Sequence, residues 1–172
     1  ALFAQKAADN KKDVKRTKAE QVDIDTLVTI VDAVSAGGRS AAPSDIAMTW
    51  DSNHFFRAPD GSTYMPFTVT VDKSKLTTPP TAIYVRVANK GAAAPVAAAK
   101  GNNKEKSATI HPWEKFDFGT VGADGTLGRY VQVKPGEYDL YVAVKDKGSV
   151  EKSDKNYMPK VGVLKKELTV PD

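Results

Sequence analysis

Cysteine is missing from all 172 residues of this sequence. Its absence excludes disulfides, iron–sulfur clusters, thiolate zinc sites and cysteine nucleophiles, although it leaves the cellular compartment open. Histidine is almost as scarce, because only His54 and His111 occur, far apart in the chain. A metal site would need them to meet carboxylates such as Asp51 or Glu114, and no ligand spacing supports such a meeting. We therefore expect neither a metal ion nor another cofactor.

Long apolar runs and a concentrated charge of one sign are also lacking. No segment approaches the roughly 18 apolar residues that a membrane-spanning helix needs. The formal net charge of +4 is mild, and acidic residues are interspersed among the lysines of residues 1–20 and 145–166. Nucleic-acid binding needs a focused basic patch with aromatic stacking residues, so we expect no nucleic-acid partner.

Catalytic motifs are absent as well. The sequence has no P-loop and no Gly-x-Gly-x-x-Gly, and its Gly-Ser pairs at 61–62 and 148–149 lack the nucleophile-elbow pattern Gly-x-Ser-x-Gly. Any two of the 21 acidic residues could meet as a catalytic pair, but turn formation already accounts for Asp60 and Asp124. We therefore expect a protein that is not an enzyme.

The first five residues, Ala1-Leu2-Phe3-Ala4-Gln5, are mostly apolar, and an abruptly polar segment follows them. This pattern is typical of the end of a signal peptide, where an apolar stretch closes on a small residue. An arbitrary fragment start is the alternative. The pattern predicts a secreted, periplasmic or cell-surface protein.

Two polar segments divide the chain. Residues 5–20 are rich in alanine and lysine and contain only Val14 as a sizeable apolar side chain, which predicts a basic tail that is frayed or disordered. Residues 37–43, with the sequence GGRSAAP, have the composition of a linker. The expected organisation is an N-terminal extension over residues 1–43 and a compact domain over residues 44–172.

Four apolar residues of the extension recur with the spacing of an amphipathic helix, namely Leu27, Ile30, Val31 and Val34. With Asp25 as the N-cap and Gly37-Gly38 as the stop, this pattern predicts a helix over residues 26–36. A strand is the alternative, but polar residues interrupt its apolar face. The apolar stripe of the helix either packs on the chain's own domain or docks on another subunit.

Alternating apolar residues separated by turns predict seven or eight short strands within residues 44–172, which is the pattern of an antiparallel β-sandwich. The clearest strand covers residues 137–145. Its alternation places Tyr138 and every second residue after it in a core, and the intervening residues, including Tyr141, in water.

The connections between the strands have their own signals. The Asp-Gly pair at 60–61 predicts a hairpin turn and the pair at 124–125 predicts a second turn, because Asp-Gly supplies the positive φ angles that such turns need. Pro66 has no amide hydrogen, which predicts that its part of a strand lies at an edge or a bulge. Residues 89–106 have no periodicity and predict a long surface loop.

The segment Pro135-Gly136-Glu137-Tyr138, followed by alternating apolar residues, resembles the penultimate strand of a bacterial immunoglobulin-like or fibronectin-type-III-like β-sandwich domain. The resemblance covers residues 44–172. It implies that the hydroxyl of Tyr138 bonds the backbone just upstream as a tyrosine corner, and that Trp50 or Trp113 is a buried core tryptophan. The cysteine pair of antibody domains is absent. The resemblance implies an architecture and not an activity.

Aromatic residues are the main candidates for ligand contact. Six could line a platform for sugar rings, although most are expected in the core: Trp50, Phe55, Phe56, Tyr64, Trp113 and Phe116. By alternation Tyr84 and Tyr141 face outward, where either the helix or another subunit covers them. The predicted partner-binding residues are therefore Leu27, Ile30, Val31, Val34, Tyr84 and Tyr141.

The sequence thus predicts a mainly β protein, an immunoglobulin-like antiparallel sandwich of seven or eight strands with an N-terminal helical extension. The first functional hypothesis is a non-catalytic secreted or cell-envelope protein with a structural or protein-interaction role, a subunit of a larger assembly of other proteins or of itself. The alternatives are a module that binds glycans or peptides and an accessory domain of a larger secreted protein. Three exposed aromatic residues in one groove would favour the binding module.

Overall fold

One α-helix, eight strands and a short 3-10 helix (Lys73–Lys75) make up the regular structure of the residues that the computed structural model describes, which are 16–37, 45–76, 80–90, 111–146 and 160–172. The elements are α1 (Lys18–Gly37), β1 (Met48–Asn53), β2 (Phe56–Arg57), β3 (Thr63–Val71), β4 (Thr81–Asn89), β5 (Trp113–Gly119), β6 (Thr126–Val133), β7 (Gly136–Lys145) and β8 (Val161–Val170). The predicted mainly β class is confirmed. The signal-like start, most of the predicted tail and linker, and nearly all of the loop at 89–106 lie outside the described residues.

The strands form two antiparallel sheets. In the first sheet β3 is central, β6 pairs with one of its edges, and β1 and β2 pair in succession with the other. In the second sheet the strand order is β5-β4-β7-β8. The sheets pack face to face, which is the sandwich arrangement that the short alternating strands predict.

The main core lies between the two sheets. Val69 of β3 and Val131 of β6 are fully buried from one side, and Val87 of β4 and Leu140 of β7 are fully buried from the other. In β3, β4, β6 and β7 the residues that face this layer lie at alternate positions, because strand side chains alternate between faces. Burial of each such side chain stabilises the fold by about 1.5–3 kcal/mol.

Helix α1 forms a third layer on the outer face of the second sheet. Its residues Leu27, Val31 and Val34 pack in one buried cluster with Tyr84 of β4 and Tyr141 of β7. The prediction that the Tyr141 face of β7 lies in water is therefore wrong, and of the two covers considered for Tyr84 and Tyr141 the helix is the one observed. Alternation identifies the two faces of a strand, but it does not reveal that a helix from elsewhere in the chain covers the second one.

The helix also begins earlier than predicted. Thr17 and Glu20 form a capping box, in which the Thr17 amide donates to Glu20 Oε2 at 2.7 Å and the Glu20 amide donates to Thr17 Oγ1 at 3.1 Å. The prediction that Asp25 caps the helix is therefore wrong, and of the two alternatives for residues 18–20, a frayed helix or a disordered tail, the structure shows helix. Asp25 lies inside the helix, where its carboxylate accepts a hydrogen bond from Gln21 Nε2.

Both Asp-Gly turns form as predicted. Gly61 and Gly125 have φ angles of 77° and 83°, which favour glycine. Asp60 and Asp124 each accept a hydrogen bond from the amide two residues ahead, at 2.9 Å. Hydrogen bonds from those residues lower the pKa of both carboxyl groups below the usual range.

Pro66 lies in the central strand of the first sheet and not at a sheet edge. Along one edge of β3, strand β1 pairs as far as Phe67 and strand β2 pairs from Tyr64. Pro66 lies between these two points, where neither strand pairs with β3. Its carbonyl accepts a hydrogen bond from the His54 amide at 3.1 Å. Because regular pairing is interrupted there, the strand tolerates a residue without an amide hydrogen.

Candidate functional site

The six residues predicted to bind a partner meet at one interface inside the chain, between α1 and the second sheet. Five of them, Leu27, Val31, Val34, Tyr84 and Tyr141, are at most 2% exposed, and Ile30 is half-buried beside them. A partner would reach the five buried side chains only if α1 left the sheet. Their role in partner binding stays a prediction, and the packing they provide is intramolecular.

A chain of hydrogen bonds fastens the helix to the sheet across this interface. Arg86, which is 2% exposed, donates from Nη1 to Asp32 Oδ1 on the helix at 2.5 Å and from Nε to the Tyr84 hydroxyl at 2.7 Å. That hydroxyl donates to Glu114 Oε2 at 2.7 Å. Burial raises the pKa of Tyr84 well above its usual value, so the hydroxyl stays neutral. Burial and the charge of Arg86 lower the pKa of the nearby His111.

A second ion pair holds the first half of the helix. Lys145 Nζ at the end of β7 lies 2.7 Å from Asp23 Oδ1, and the two side chains are only 7% and 4% exposed. Partners of opposite charge compensate each other where water is excluded. The two ion pairs and the apolar cluster together hold α1 against the second sheet.

Tyr138 has a structural contact at the start of β7. Its side chain is buried, and its hydroxyl donates to the carbonyl oxygen of Lys134 at 2.8 Å. The hydrogen bond predicted for this residue, from the hydroxyl to the backbone just upstream, is therefore present. Neither tryptophan proposed for the core is fully buried, because Trp50 and Trp113 are both half-buried and pack on the margin of the core.

Five rings form a continuous row that crosses the outer face of the first sheet and reaches β5. We call this set the aromatic row, and its members in order are His54, Phe56, Tyr64, Tyr130 and Trp113. Successive ring centroids are 6.5, 6.4, 5.1 and 5.6 Å apart. The row therefore runs across the strands rather than along one of them.

Strand register explains how the sequence builds this row. Phe56 lies directly opposite Tyr64 in the β2–β3 pair, and Tyr130 lies opposite Pro66 in the β3–β6 pair. Tyr64 and Pro66 are two residues apart and share a face, so all these side chains point away from the core. Neighbouring side chains on one face of an antiparallel pair contact each other at this spacing.

The central rings of the row are exposed to solvent. Phe56 is 55% exposed, Tyr64 is 37% exposed and Tyr130 is 36% exposed. Within the described ranges the other exposed large hydrophobic side chains are Phe55, near the C-terminal residues, and Val22 on the helix. A contiguous group of exposed apolar side chains on a folded protein indicates an interaction site.

Polar groups surround the rings. A depression of about 380 Å³ lies beside Tyr64 and Tyr130, a size within the range of small-ligand sites. Its remaining lining residues are Ser52, His54, Pro66, Phe67, Thr68, Gly128 and Arg129. Hydroxyl and imidazole groups thus border the ring faces and can form hydrogen bonds with a ligand.

Three of the six residues proposed as a sugar platform join the row, and three do not. Phe56, Tyr64 and Trp113 belong to it. Phe116 stacks on Tyr84 beneath the helix at a centroid distance of 4.2 Å. Trp50 stacks on Phe67 at 5.0 Å, and Phe55 lies beside residues 171–172.

Tyr130 and His54 belong to the row but were not predicted to be part of a site. The sequence does carry a signal for Tyr130, because it is out of phase with the buried residues Val131 and Val133 and must face away from the core. No comparable pattern marks His54, which follows the end of β1. Its place in the row depends on the path of the chain between β1 and β2.

The described ranges bring together no group of three or more metal-binding side chains. No helix in the described part of the chain is long and apolar enough to cross a membrane. The aromatic row is therefore the candidate functional site.

Comparison with known proteins gives no family for this chain. No protein-family model matches its sequence, and no curated protein matches it. The architecture is two packed antiparallel sheets with one helix layer. The geometry of the aromatic row is therefore the basis for the proposed function.

Proposed function

We propose that this protein is a non-catalytic glycan-binding module and that the aromatic row is its binding surface. The observation that carries the proposal is the side-by-side exposure of Phe56, Tyr64 and Tyr130 on one sheet face. A sugar ring presents C–H groups on its faces, which pack against the electron-rich face of an aromatic ring. Its hydroxyl groups lie around the rim, where they need hydrogen-bond partners.

The groups beside the row match that second requirement. Ser52, Thr68 and His54 offer hydroxyl and imidazole partners at the border of the depression. Leu, Ile and Val are all missing from the described residues that line it. Three exposed rings and a shallow depression form a narrow strip. A stable protein–protein interface is larger, because it buries roughly 800 Å² on each partner.

A structural role in an assembly is the hypothesis that the sequence favoured first, and it ranks second here. Its predicted partner contacts are the apolar stripe of α1 together with Tyr84 and Tyr141. These side chains are buried against one another within the chain. An assembly through them would require exchange of α1 between subunits, and the aromatic row needs no such rearrangement to reach a ligand.

The proposal includes a secreted, periplasmic or cell-surface location, where polymeric glycans are available. It also includes a fibronectin-type-III-like topology for the sandwich. Two observations support this topology: the sheets group β1, β3 and β6 against β5, β4, β7 and β8, and the Tyr138 hydroxyl bonds the backbone at the start of the penultimate strand.

Affinity electrophoresis in gels that contain soluble polysaccharide tests the proposed function. The probes are arabinoxylan, hydroxyethyl cellulose and glucomannan, each compared with a gel without polysaccharide. The wild-type protein should be retarded by at least one of them. Tyr64→Ala should weaken the affinity about tenfold, because loss of one ring contact worth about 1.4 kcal/mol is a tenfold change.

Phe55→Ala is the matched control. Phe55 is 38% exposed, close to the value for Tyr64, and it lies outside the aromatic row. Its substitution should leave retardation unchanged. Migration of the wild-type protein unaffected by all three polysaccharides would refute the proposed function, and so would an equal effect of Phe55→Ala and Tyr64→Ala.

A further inference from the structure

We infer that the aromatic row binds a single soluble, uncharged, extended glycan chain and not the flat surface of a crystalline polysaccharide. This inference rests on the proposed function and adds the class of ligand. It follows from three features of the row: the mutual inclination of its rings, their arrangement in a line, and the charge state of the groups beside them.

The inclination of the rings argues against a flat ligand. Phe56 and Tyr64 are inclined by 39° to each other, and Tyr64 and Tyr130 are inclined by 42°. Adjacent strands in a sheet are rotated by roughly 20–25°, so side chains that cross several strands do not share a plane. A crystalline polysaccharide face contacts several rings at once only if those rings are coplanar. A single chain can turn along its length and meet each ring in succession.

The linear arrangement argues for an extended chain that spans several sugar units. The rings of Phe56, Tyr64 and Tyr130 come from three neighbouring strands, β2, β3 and β6, and Tyr64 contacts a ring on each side. One sugar unit covers one ring, so a longer oligosaccharide gains contacts that a disaccharide lacks. An extended chain presents successive sugar rings in a line, as this arrangement requires.

The charges beside the row argue for an uncharged chain. Arg129, the guanidinium that borders the depression, is paired with Asp117 at a distance of 3.0 Å between Nη2 and Oδ2. The ammonium group of Lys115 lies 5.1 Å from the centroid of the Tyr130 ring, where it interacts with the ring face. A polyanionic glycan would need basic groups directed at its carboxylates, and these two already have other interactions.

Gly128 provides an independent way to close the site. A Cβ atom added at Gly128 would meet no atom within 4 Å, and the residue borders the depression. Gly128→Phe should therefore fold normally and fill the space beside Tyr130. Val22→Phe adds the same side chain at a position that is 60% exposed on α1, and it serves as the control.

Isothermal titration calorimetry with oligosaccharides of two to six units tests the inference. The probes are xylo-, cello- and manno-oligosaccharides, with polygalacturonate as the anionic comparison and sedimentation with microcrystalline cellulose and chitin as the crystalline comparison. In the series that binds, the hexasaccharide should bind at least about tenfold more tightly than the disaccharide. Gly128→Phe should weaken hexasaccharide binding about tenfold, and Val22→Phe should not.

The outcomes separate the inference from the proposed function. Absence of binding to every oligosaccharide and polysaccharide would refute both. If soluble glycans bind but the disaccharide and hexasaccharide bind equally, or if the crystalline polymers retain the protein as well as soluble chains do, the inference fails and the proposed function stands. Tighter binding to polygalacturonate than to any neutral chain would also overturn the inference, because it would place a polyanion on the row.

Discussion

At the scale of single residues, the Tyr138 hydroxyl fixes the start of β7 to the turn that precedes it. The hydroxyl donates to the Lys134 carbonyl oxygen at 2.8 Å, and the side chain is 7% exposed. Tyr138→Phe keeps the ring and removes the donor, which leaves the carbonyl without this partner. We expect the free energy of unfolding, measured by urea denaturation, to fall by about 1 kcal/mol.

Tyr64→Phe is the control for this prediction, because its side chain is 37% exposed on the aromatic row. Removal of a solvent-exposed hydroxyl should change the free energy of unfolding by less than about 0.5 kcal/mol. Equal effects of the two substitutions would show that the Tyr138 hydrogen bond contributes nothing specific.

Residue-level predictions from sequence succeed here when the contact is local. The Tyr138 hydrogen bond and the turns at Asp60 and Asp124 join groups only two to four residues apart, so a short pattern contains all the partners. The exposure of Tyr64 and the burial of Tyr84 depend on a contact that is not local. Both side chains face away from the main core in their strands, and Tyr84 is buried because α1 covers its sheet.

At the scale of elements, the helix layer depends on a buried ion pair. Asp23 and Lys145 join α1 to the end of β7 with side chains only 4% and 7% exposed. Asp23→Leu would leave the Lys145 ammonium buried without this carboxylate, and we expect the free energy of unfolding to fall by about 3 kcal/mol. The double variant Asp23→Leu/Lys145→Met should recover most of that loss, because an apolar pair needs no charge compensation.

Asp25→Leu is the matched control, because Asp25 is exposed on the same helix. Its carboxylate accepts a hydrogen bond from Gln21, which lies one turn earlier on α1. The substitution should change the free energy of unfolding by less than about 1 kcal/mol. Two results in urea denaturation would contradict the prediction. One is a similar effect of Asp23→Leu and Asp25→Leu, and the other is a double variant less stable than Asp23→Leu alone.

The helix also shows which part of an element can be predicted from sequence and which part cannot. Apolar spacing correctly identified a helix and the stripe of Leu27, Val31 and Val34 that it buries. The predicted start at residue 26 is wrong because it takes Asp25 as the N-cap, although the buried face of the helix already includes Ile24. The first turn is set by the polar capping box of Thr17 and Glu20, a signal that an apolar pattern does not contain.

At the scale of the whole molecule, three layers determine which surface is free to bind a ligand. Helix α1 covers the outer face of the second sheet, while the outer face of the first sheet carries the exposed aromatic row. The sandwich architecture could be predicted because each strand shows it locally through alternation. The site could be predicted only in part. Its assembly depends on the register of β2, β3 and β6, which no single segment encodes.

The central claim is that a glycan binds along the aromatic row, and backbone amide chemical shifts during titration test it most directly. Xylohexaose and cellopentaose are added in separate titrations to the ¹⁵N-labelled protein. We predict that at least one causes saturable shifts centred on Phe56, Tyr64 and Tyr130, while the amides of α1 stay unchanged. Shifts centred on α1 and the second sheet, or no saturable shift with either sugar, would contradict the account.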